Sequence, residues 1–325
     1  MAKGSFIDYV VNNNPNMFPS DGLHTDGYYY EKVANVTING LNVKDDLNLV
    51  SNILNSSLHI SDLAYNFYCG AAVVLNGEIH ILGGQFSSTY TSHYVFNGIK
   101  WTFVGSLPYD FYYGAAVVLN GEIHILGGRN SSVQTKHYKW DGSVWTEVST
   151  LPYAFYAGGA VVLNGEIHIL GSYLTEHYTK HYKWDGSVWT EVSTLPYNFV
   201  LGGAVVFNNE IHILGGNNAQ TNHYKWNGSS WTSVSTLPYG FTYNQAVVFD
   251  NGIHILGGGD TSSNTKHYRW NGTYWTEVST LPYNFKAGSV VVLNDEIHIL
   301  GSGASSSLQK NHYMVAFLMY KKKVK

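Results

Sequence analysis

The sequence has one cysteine, few charged residues and no long hydrophobic run, and each shortage excludes a class of protein. Cys69 alone cannot form an internal disulfide or a cysteine metal cluster, so packing and hydrogen bonds must hold the fold together. No apolar run is long enough to span a bilayer, and residues 1–8 contain no signal-peptide hydrophobic region. We therefore expect synthesis in the cytoplasm without a signal peptide, and no membrane insertion.

Positive charge is also scarce. The 325 residues include only 18 lysines and arginines, charged residues make up 12%, and the net charge is −4. Because no broad basic face is predicted, nucleic acid is not an expected partner. Aromatic residues, by contrast, reach 15% and glycines number 34, which favours short, tightly turned strands over helices.

A repeated unit accounts for most of the chain. The string Ile-His-Ile-Leu-Gly occurs six times, and successive copies lie 42 or 44 residues apart. In the second full copy we predict four strands, named a to d, at residues 114–120, 122–126, 136–140 and 144–149. Asn120-Gly121 and Asp141-Gly142 each read as a two-residue hairpin turn. Four antiparallel strands repeated six times are typical of a β-propeller.

A tyrosine and a tryptophan follow a double glycine at fixed spacing, as in Gly127-Gly128, Tyr138 and Trp145. The step from tyrosine to tryptophan is constant in five copies, whereas the sixth has Tyr313 but no tryptophan. This pattern resembles the kelch repeat over roughly residues 53–320. The resemblance implies an all-β, six-bladed kelch-type propeller with four antiparallel strands per blade, and we assign it residues 53–325.

The sixth copy ends after its third strand, which would leave an unpaired sheet edge. Residues 57–65 align with residues 189–197, which include the fourth strand of the third copy. We therefore predict that residues 57–62 form the outer strand of the last blade and close the ring. Residues 1–52 do not fit the repeat and are predicted to form a small extended segment for attachment or spacing.

Twelve of the 15 histidines occupy repeat positions. A ring of imidazoles could bind metal, but six equivalent copies next to isoleucines favour packing between blades, so we predict no metal and no cofactor. The strand-b histidines are His80, His124, His168, His212, His254 and His298. The strand-c histidines are His93, His137, His181, His223, His267 and His312.

The copies differ most in the loop between strands b and c and in the residue pair before strand a. Antiparallel geometry places both on one face, while nearly constant turns occupy the other. One-sided variation favours a binding surface on a fixed scaffold, and the alternative is that these loops merely tolerate change. The candidate ligand-binding residues are Tyr68, Tyr112, Tyr113, Tyr156, Tyr243, Arg129, Asn130, Tyr173, Asn217 and Asp260.

Catalytic motifs are scarce on this face. Neither paired carboxylates at matched positions nor a nucleophile elbow occurs. A sialidase-like site would need an arginine cluster, whereas the chain has only Arg129 and Arg269. Kelch-type copper oxidases resemble the fold and use a Tyr, Cys and His site, so Cys69 beside Tyr68 keeps that alternative open. We predict that the protein is not an enzyme.

A short N-terminal segment carries a second resemblance. Pro19-Ser-Asp-Gly22 followed by Asp26-Gly-Tyr-Tyr-Tyr-Glu31 resembles a segment of tail-fibre and other tail proteins of phages and phage-like particles of Gram-positive bacteria. The resemblance implies a virion or tailocin component, mounted through residues 1–52 on other tail or baseplate proteins and present as a homo-oligomer on the particle. We predict that the variable face binds a host cell-surface glycan or another host receptor. The alternative is a structural adaptor that binds another virion protein.

Overall fold

A computed structural model describes residues 37–38, 41–42, 57–84, 91–129, 132–218, 220–243, 245–259, 265–303 and 310–315. Within these ranges the chain forms six four-stranded antiparallel sheets and a separate pair of two-residue strands, β1 (Thr37–Ile38) and β2 (Leu41–Asn42). The described helical structure is one 3-10 turn, Thr175–His177. None of the described helical structure could span a membrane.

The sheets are the six blades of a propeller, which we number I to VI. The strands are as follows. Blade I contains β4 (Ala71–Leu75), β5 (Glu78–Leu82), β6 (Ser92–Phe96) and β7 (Trp101–Ser106). Blade II contains β8 (Ala115–Leu119), β9 (Glu122–Leu126), β10 (Lys136–Trp140) and β11 (Trp145–Thr150). Blade III contains β12 (Gly159–Leu163), β13 (Glu166–Leu170), β14 (Lys180–Trp184) and β15 (Trp189–Thr194).

The second half of the ring repeats the arrangement. Blade IV contains β16 (Gly203–Phe207), β17 (Glu210–Leu214), β18 (Asn222–Trp226) and β19 (Trp231–Thr236). Blade V contains β20 (Ala246–Phe249), β21 (Gly252–Leu256), β22 (Lys266–Trp270) and β23 (Trp275–Thr280). Blade VI contains β24 (Ser289–Leu293), β25 (Glu296–Leu300), β26 (Asn311–Val315) and β3 (Ser57–Asp62). The inner strand of each blade contacts the inner strand of the next, and β24 contacts β4, so the ring is closed.

The closing strand lies where the sequence places it. Strand β3 pairs antiparallel with β26, with Ser57 opposite Val315 and Asp62 opposite Asn311. The Leu63 N–H extends this pairing by donating to the Lys310 carbonyl at 2.6 Å. The N-terminal completion of the last blade is therefore confirmed, and it removes a sheet edge that would otherwise be open.

One of the two predicted turn types is wrong. The turn at Asn120-Gly121 has φ angles of 52° and 80°, as a two-residue hairpin requires. At Asp141, however, Trp140 pairs with Trp145, so the connection has four residues. Asp141 Oδ1 accepts hydrogen bonds from the N–H groups of Ser143 and Val144 at 2.8 and 2.9 Å. This side-chain closure of the loop explains why strand d begins one residue later than predicted.

A phenylalanine from each connection between strand d and the next strand a anchors the blades to one another. Phe155, for example, is fully buried and packs with Leu126 of blade II and with Ile167 and Ile169 of blade III. Close approach here requires glycine, because a Cβ on Gly127 would collide with the Phe155 carbonyl oxygen. The equivalent phenylalanines are Phe67, Phe111, Phe155, Phe199, Phe241 and Phe285.

The repeated histidines form hydrogen-bonded pairs that continue across the interface between blades, which we call the seam. In blade II, His124 Nδ1 lies 2.8 Å from His137 Nε2, and His137 Nδ1 lies 2.9 Å from Ser149 Oγ. Trp189 of blade III donates from Nε1 to the same Ser149 Oγ at 3.1 Å. Burial lowers the pKa of His124 to about 4 and that of His137 to about 3, so both rings are neutral at pH 7. The prediction that these histidines pack between blades is confirmed.

Candidate functional site

In blades II and III, the described parts of the variable segments lie on one face of the propeller. Arg129, in the b–c loop of blade II, donates its backbone N–H to the Tyr112 carbonyl at 2.8 Å. Tyr173, in the b–c loop of blade III, donates in the same way to the Tyr156 carbonyl at 2.7 Å. Hydrogen bonds therefore join each of these loops to the connection that enters its own blade. The predicted placement of both variable regions on one face is confirmed for blades II and III, whereas most of the b–c loops of blades I, V and VI lies outside the described residues.

Six residue pairs, one from each of these connections, surround the central opening on this face. We call this set the mouth. It consists of Tyr68-Cys69, Tyr112-Tyr113, Tyr156-Ala157, Val200-Leu201, Thr242-Tyr243 and Lys286-Ala287. The second residue of every pair has a φ angle between 54° and 69°, so the six backbones turn alike although the side chains differ.

Backbone hydrogen bonds link neighbouring pairs around the opening. The N–H of Tyr113 donates to the Cys69 carbonyl at 2.8 Å, and the N–H of Ala157 donates to the Tyr113 carbonyl at 2.8 Å. The N–H of Leu201 continues the series to the Ala157 carbonyl, and the N–H of Cys69 donates to the Ala287 carbonyl. Since these bonds use only main-chain groups, they hold the mouth in place whatever side chain each position carries.

The second residues of the pairs line a cavity of about 180 Å³ at the top of the central channel. Small residues of the inner strands, among them Ala72, Ala116, Ala160 and Ala204, form its lower wall. These small side chains let six inner strands converge while leaving the channel open beneath the mouth. The cavity is therefore walled by variable residues above and by repeated alanines below.

Four tyrosines form a continuous row of packed rings along one side of the mouth. The ring centroids of Tyr112 and Tyr113 lie 4.5 Å apart, and those of Tyr113 and Tyr156 lie 5.2 Å apart. Tyr173 extends the row, with its centroid 5.9 Å from that of Tyr156. All three contacts are edge to face, the geometry that aromatic pairs prefer. The row thus presents a preformed aromatic wall.

Tyr68 and Cys69 meet Tyr113 beside this row. Burial, together with the neighbouring Cys69, raises the pKa of Tyr68 to about 12, and hydrogen bonds join the Tyr68 and Tyr113 side chains to each other and to Cys69. Burial also raises the pKa of the Cys69 thiol far above its usual value. A raised pKa disfavours the thiolate, which is the nucleophilic form of cysteine.

Two cations lie over tyrosine rings in the mouth. Lys286 Nζ is 4.6 Å from the centroid of Tyr243, and Arg129 Cζ is 5.7 Å from that of Tyr156. Among the described residues, neither cation forms an ion pair with a carboxylate. Their N–H groups are therefore placed to meet acceptor oxygens of a ligand.

The structure brings most of the predicted residues together. Tyr68, Tyr112, Tyr113, Tyr156, Tyr173 and Arg129 form one contacting group, and Tyr243 stands across the cavity beside Lys286. Asn217 lies in the b–c loop of blade IV, where its Oδ1 accepts a local hydrogen bond from the Asn218 N–H at 3.0 Å. Asn130 and Asp260 lie outside the described residues.

The choice of candidates from the sequence missed Lys286 and the small residues that shape the cavity. Lys286 belongs to the last variable pair, so its position alone was a usable signal. Ala157, Leu201 and Ala287 also line the cavity, but apolar residues in a pair give no chemical reason to select them. These residues shape the cavity, because their side chains leave space opposite the tyrosines.

The described mouth does not fit a copper oxidase. Tyr68, Tyr113 and Cys69 are adjacent, but the mouth as described contains no histidine, and the nearby His177 ring packs on Tyr153 at 4.8 Å. No group of three or more His, Cys, Asp or Glu side chains in the described residues is arranged to bind a metal ion. Paired carboxylates for acid and base chemistry are likewise missing from the described mouth.

Comparison of the sequence with models of known protein families gives no match, and comparison with curated proteins gives none either. Among solved structures, the chain is similar to the one titled "Structure of YjhT", with a TM-score of 0.68 and 14% sequence identity. The similarity covers 81% of this chain and 98% of that chain. At this level of identity the similarity establishes the propeller fold alone.

Proposed function

We propose that this protein is a non-enzymatic tail or fibre component of a phage or phage-like particle, and that its kelch-type propeller binds a host cell-surface glycan through the mouth. The observation that carries the proposal is the contrast within the mouth. Six backbone segments turn alike while their side chains differ, and three of the mouth tyrosines form a packed row that Tyr173 of a b–c loop extends. Variation at positions held by a constant backbone is the arrangement expected of a recognition surface.

The chemistry of the mouth suits a sugar ring. Half-buried tyrosines offer flat apolar faces to sugar C–H groups and phenol groups to hydroxyls, as tyrosines do in other binding surfaces. Arg129 and Lys286 add N–H donors for ring or substituent oxygens. A single shallow site of this kind binds weakly, so several copies on one particle supply the avidity that attachment to a cell needs.

Residues 1–52 supply the other half of the proposed role. They contain the segment that resembles phage tail proteins, and they precede the closing strand of the propeller. We assign them to attachment on other tail or baseplate proteins, which places the propeller on the virion. The structure does not describe this segment beyond strands β1 and β2, so the sequence resemblance alone supports this part.

The test uses the labelled full-length chain, displayed multivalently, with Gram-positive cells and their purified wall polysaccharides. We expect saturable binding that falls at least about tenfold in the double variant Tyr112→Ala/Tyr113→Ala. Tyr274→Ala is the matched control, because Tyr274 is 59% exposed and lies in the c–d loop on the opposite face. No binding by the folded parent, or an equal loss in the control, would contradict the proposal.

An adaptor that binds another virion protein is the second candidate, and blade I favours it. Its outer strand β7 exposes Phe103 and Val104 by 53% and 40%, and the preceding turn exposes Ile99 by 84%. Blade II carries Glu147 at the position of Phe103, where it accepts a hydrogen bond from Tyr138. Phe103→Glu should block particle assembly if the adaptor role is correct. It should leave assembly unchanged if the mouth alone is functional.

A further inference from the structure

The seam between blades I and II lacks a hydroxyl group that three other seams use. In those seams a serine of strand d lies between the strand-c histidine of its own blade and the tryptophan that begins strand d of the next blade. Ser149, Ser193 and Ser235 each accept from a tryptophan Nε1 at 3.0 to 3.1 Å and contact a histidine Nδ1 at 2.8 to 2.9 Å. In blade I the equivalent residue is Gly105.

Without that hydroxyl, one buried nitrogen of this seam has no partner, and a tryptophan N–H lacks the acceptor that its counterparts have. His93 is fully buried and keeps its bond from Nε2 to His80 at 2.9 Å, but its Nδ1 has no hydrogen-bond partner in the described structure. Trp145 occupies the position of Trp189, yet Gly105 offers no side chain to accept from its Nε1. An acceptor and a donor thus stand where the serine hydroxyl stands in the other seams.

A cavity of about 410 Å³ lies at this position. His93, Gly105, Pro108, Trp140 and Trp145 line it, and the exposed side chains of Val104 and Val144 also contribute. The ring centroids of Trp140 and Trp145 lie 4.9 and 5.7 Å from that of His93, so aromatic surface flanks the unpaired nitrogen. The cavity combines an apolar wall with a buried polar group, as small-molecule sites do.

We propose that this seam is a second ligand site, which takes a saccharide or polyol by one of its hydroxyl groups. The hydroxyl donates its hydrogen to His93 Nδ1 and accepts the Trp145 N–H, as the serine hydroxyl can do in the other seams. The apolar face of the ligand packs against Trp145, Trp140 and the valines. The site lies on the rim of the propeller, away from the mouth, and does not depend on the function proposed for the mouth.

The neighbouring seam provides a nearly identical reference. Every residue that lines the cavity has the same counterpart in the seam between blades II and III, except that Ser149 replaces Gly105 and Thr150 replaces Ser106. Ser149→Gly should therefore create a second copy of the site beside Trp189. Conversely, Gly105→Ser should fill the first, because a Cβ at Gly105 meets nothing within 4 Å.

The experiment follows the indole N–H signals of the nine tryptophans in the ¹⁵N-labelled full chain, with Trp145→Phe to assign Trp145. The probes are methyl α-D-glucopyranoside and glycerol. We expect a saturable shift of the Trp145 signal with at least one probe, and affinity at least about tenfold lower in Gly105→Ser. Ser149→Gly should make the Trp189 signal respond as well, and Ser193→Gly should do the same for Trp231.

Three results would overturn the proposal. The first is a Trp145 signal that neither probe shifts, and the second is an unchanged affinity in Gly105→Ser. The third is a lack of response of the Trp189 and Trp231 signals in the folded Ser149→Gly and Ser193→Gly variants. The mouth variant Tyr112→Ala/Tyr113→Ala should leave the Trp145 response unchanged. Failure of the mouth as a receptor site and failure of this seam as a ligand site are therefore separately visible.

Discussion

Adjacent residues in the connections of the propeller differ in how far they vary among the copies. Phe155 is fully buried between blades II and III and recurs as phenylalanine in all six copies. Tyr156, the next residue, is half-buried at the mouth, and its equivalents are tyrosine, valine, threonine or lysine. A constant buried residue and a variable residue are thus adjacent in the chain, so the proposed binding surface can change without loss of the buried phenylalanine.

The main chain explains how this separation is possible. The Phe155 carbonyl accepts the Gly128 N–H at 2.8 Å, and the Tyr156 carbonyl accepts the Tyr173 N–H at 2.7 Å. Tyr153 further secures the connection by donating from its hydroxyl to the Gly171 carbonyl at 3.1 Å. None of these bonds uses the side chains of the mouth. Substitutions in the mouth therefore change the exposed side chains and keep these hydrogen bonds.

Removal of the closing strand should cause the largest loss in the free energy of unfolding. Both the buried phenylalanines and the mouth depend on a closed ring. Deletion of residues 57–62 exposes the edge of β26 and removes Ile60 from the core shared with Phe67 and Ile79. We expect a loss of more than about 5 kcal/mol, which is comparable to the whole stability of many domains. Urea unfolding followed by tryptophan fluorescence measures it.

A six-residue deletion at 43–48 is the control for this experiment, since it shortens the chain equally and leaves β3 intact. The closed-ring interpretation predicts a parent-like unfolding midpoint for the control. Parent-like unfolding of the 57–62 deletion would instead show that β3 contributes little.

Substitution of Phe155 and of Tyr156 tests whether the buried residue and its neighbour in the mouth differ in their contribution to stability. Phe155→Ala should lower the free energy of unfolding by about 3–5 kcal/mol, as expected when a large buried side chain is truncated. Tyr156→Ala should lower it by only about 1 kcal/mol, because that ring is half-buried and its neighbours can relax. The measurement is denaturant unfolding of both variants under one condition. Equal losses would mean that the mouth is part of the stabilising core.

The smallest change in the free energy of unfolding should come from exchanging glycine and serine in the seams between blades I and II and between blades II and III. Gly105→Ser should raise the free energy of unfolding by about 1 kcal/mol, through a new hydrogen bond to His93 and a less flexible unfolded chain. Ser149→Gly should lower it by about 1–3 kcal/mol, because it leaves His137 and Trp189 unpaired. Both values come from denaturant unfolding without added ligand. A change of the same sign in both variants would contradict the role given to the serine hydroxyl.

Much of the architecture was predictable because the sequence repeats it. The spacing of Ile-His-Ile-Leu-Gly gives the number of blades, and the alignment of residues 57–65 identifies the closing strand. Strand boundaries in blade II agree to within one residue. The four-residue loop after Trp140 was not predictable from Asp-Gly alone, since its closure depends on which N–H groups the Asp141 carboxylate reaches.

The contacts of the site were less accessible to sequence reasoning. Tyr113 and Tyr156 are 43 positions apart, and whether their rings touch depends on the angle between blades. Gly105 is visible in the sequence as a departure from serine, but its meaning requires the arrangement of His93 and Trp145 across the seam. Repetition therefore predicts which residues are equivalent, whereas it does not predict what equivalent residues contact.

The pairing of β3 with β26 also determines how the molecule is presented. Ser57 begins β3 opposite Val315, at the end of the blade that carries the constant turns, and the strand then runs toward the mouth. The N-terminal end of β3 thus lies on the face opposite the mouth. The proposed attachment through residues 1–52 would therefore hold the propeller by the face opposite the mouth. The mouth would then point away from the particle, toward the host cell.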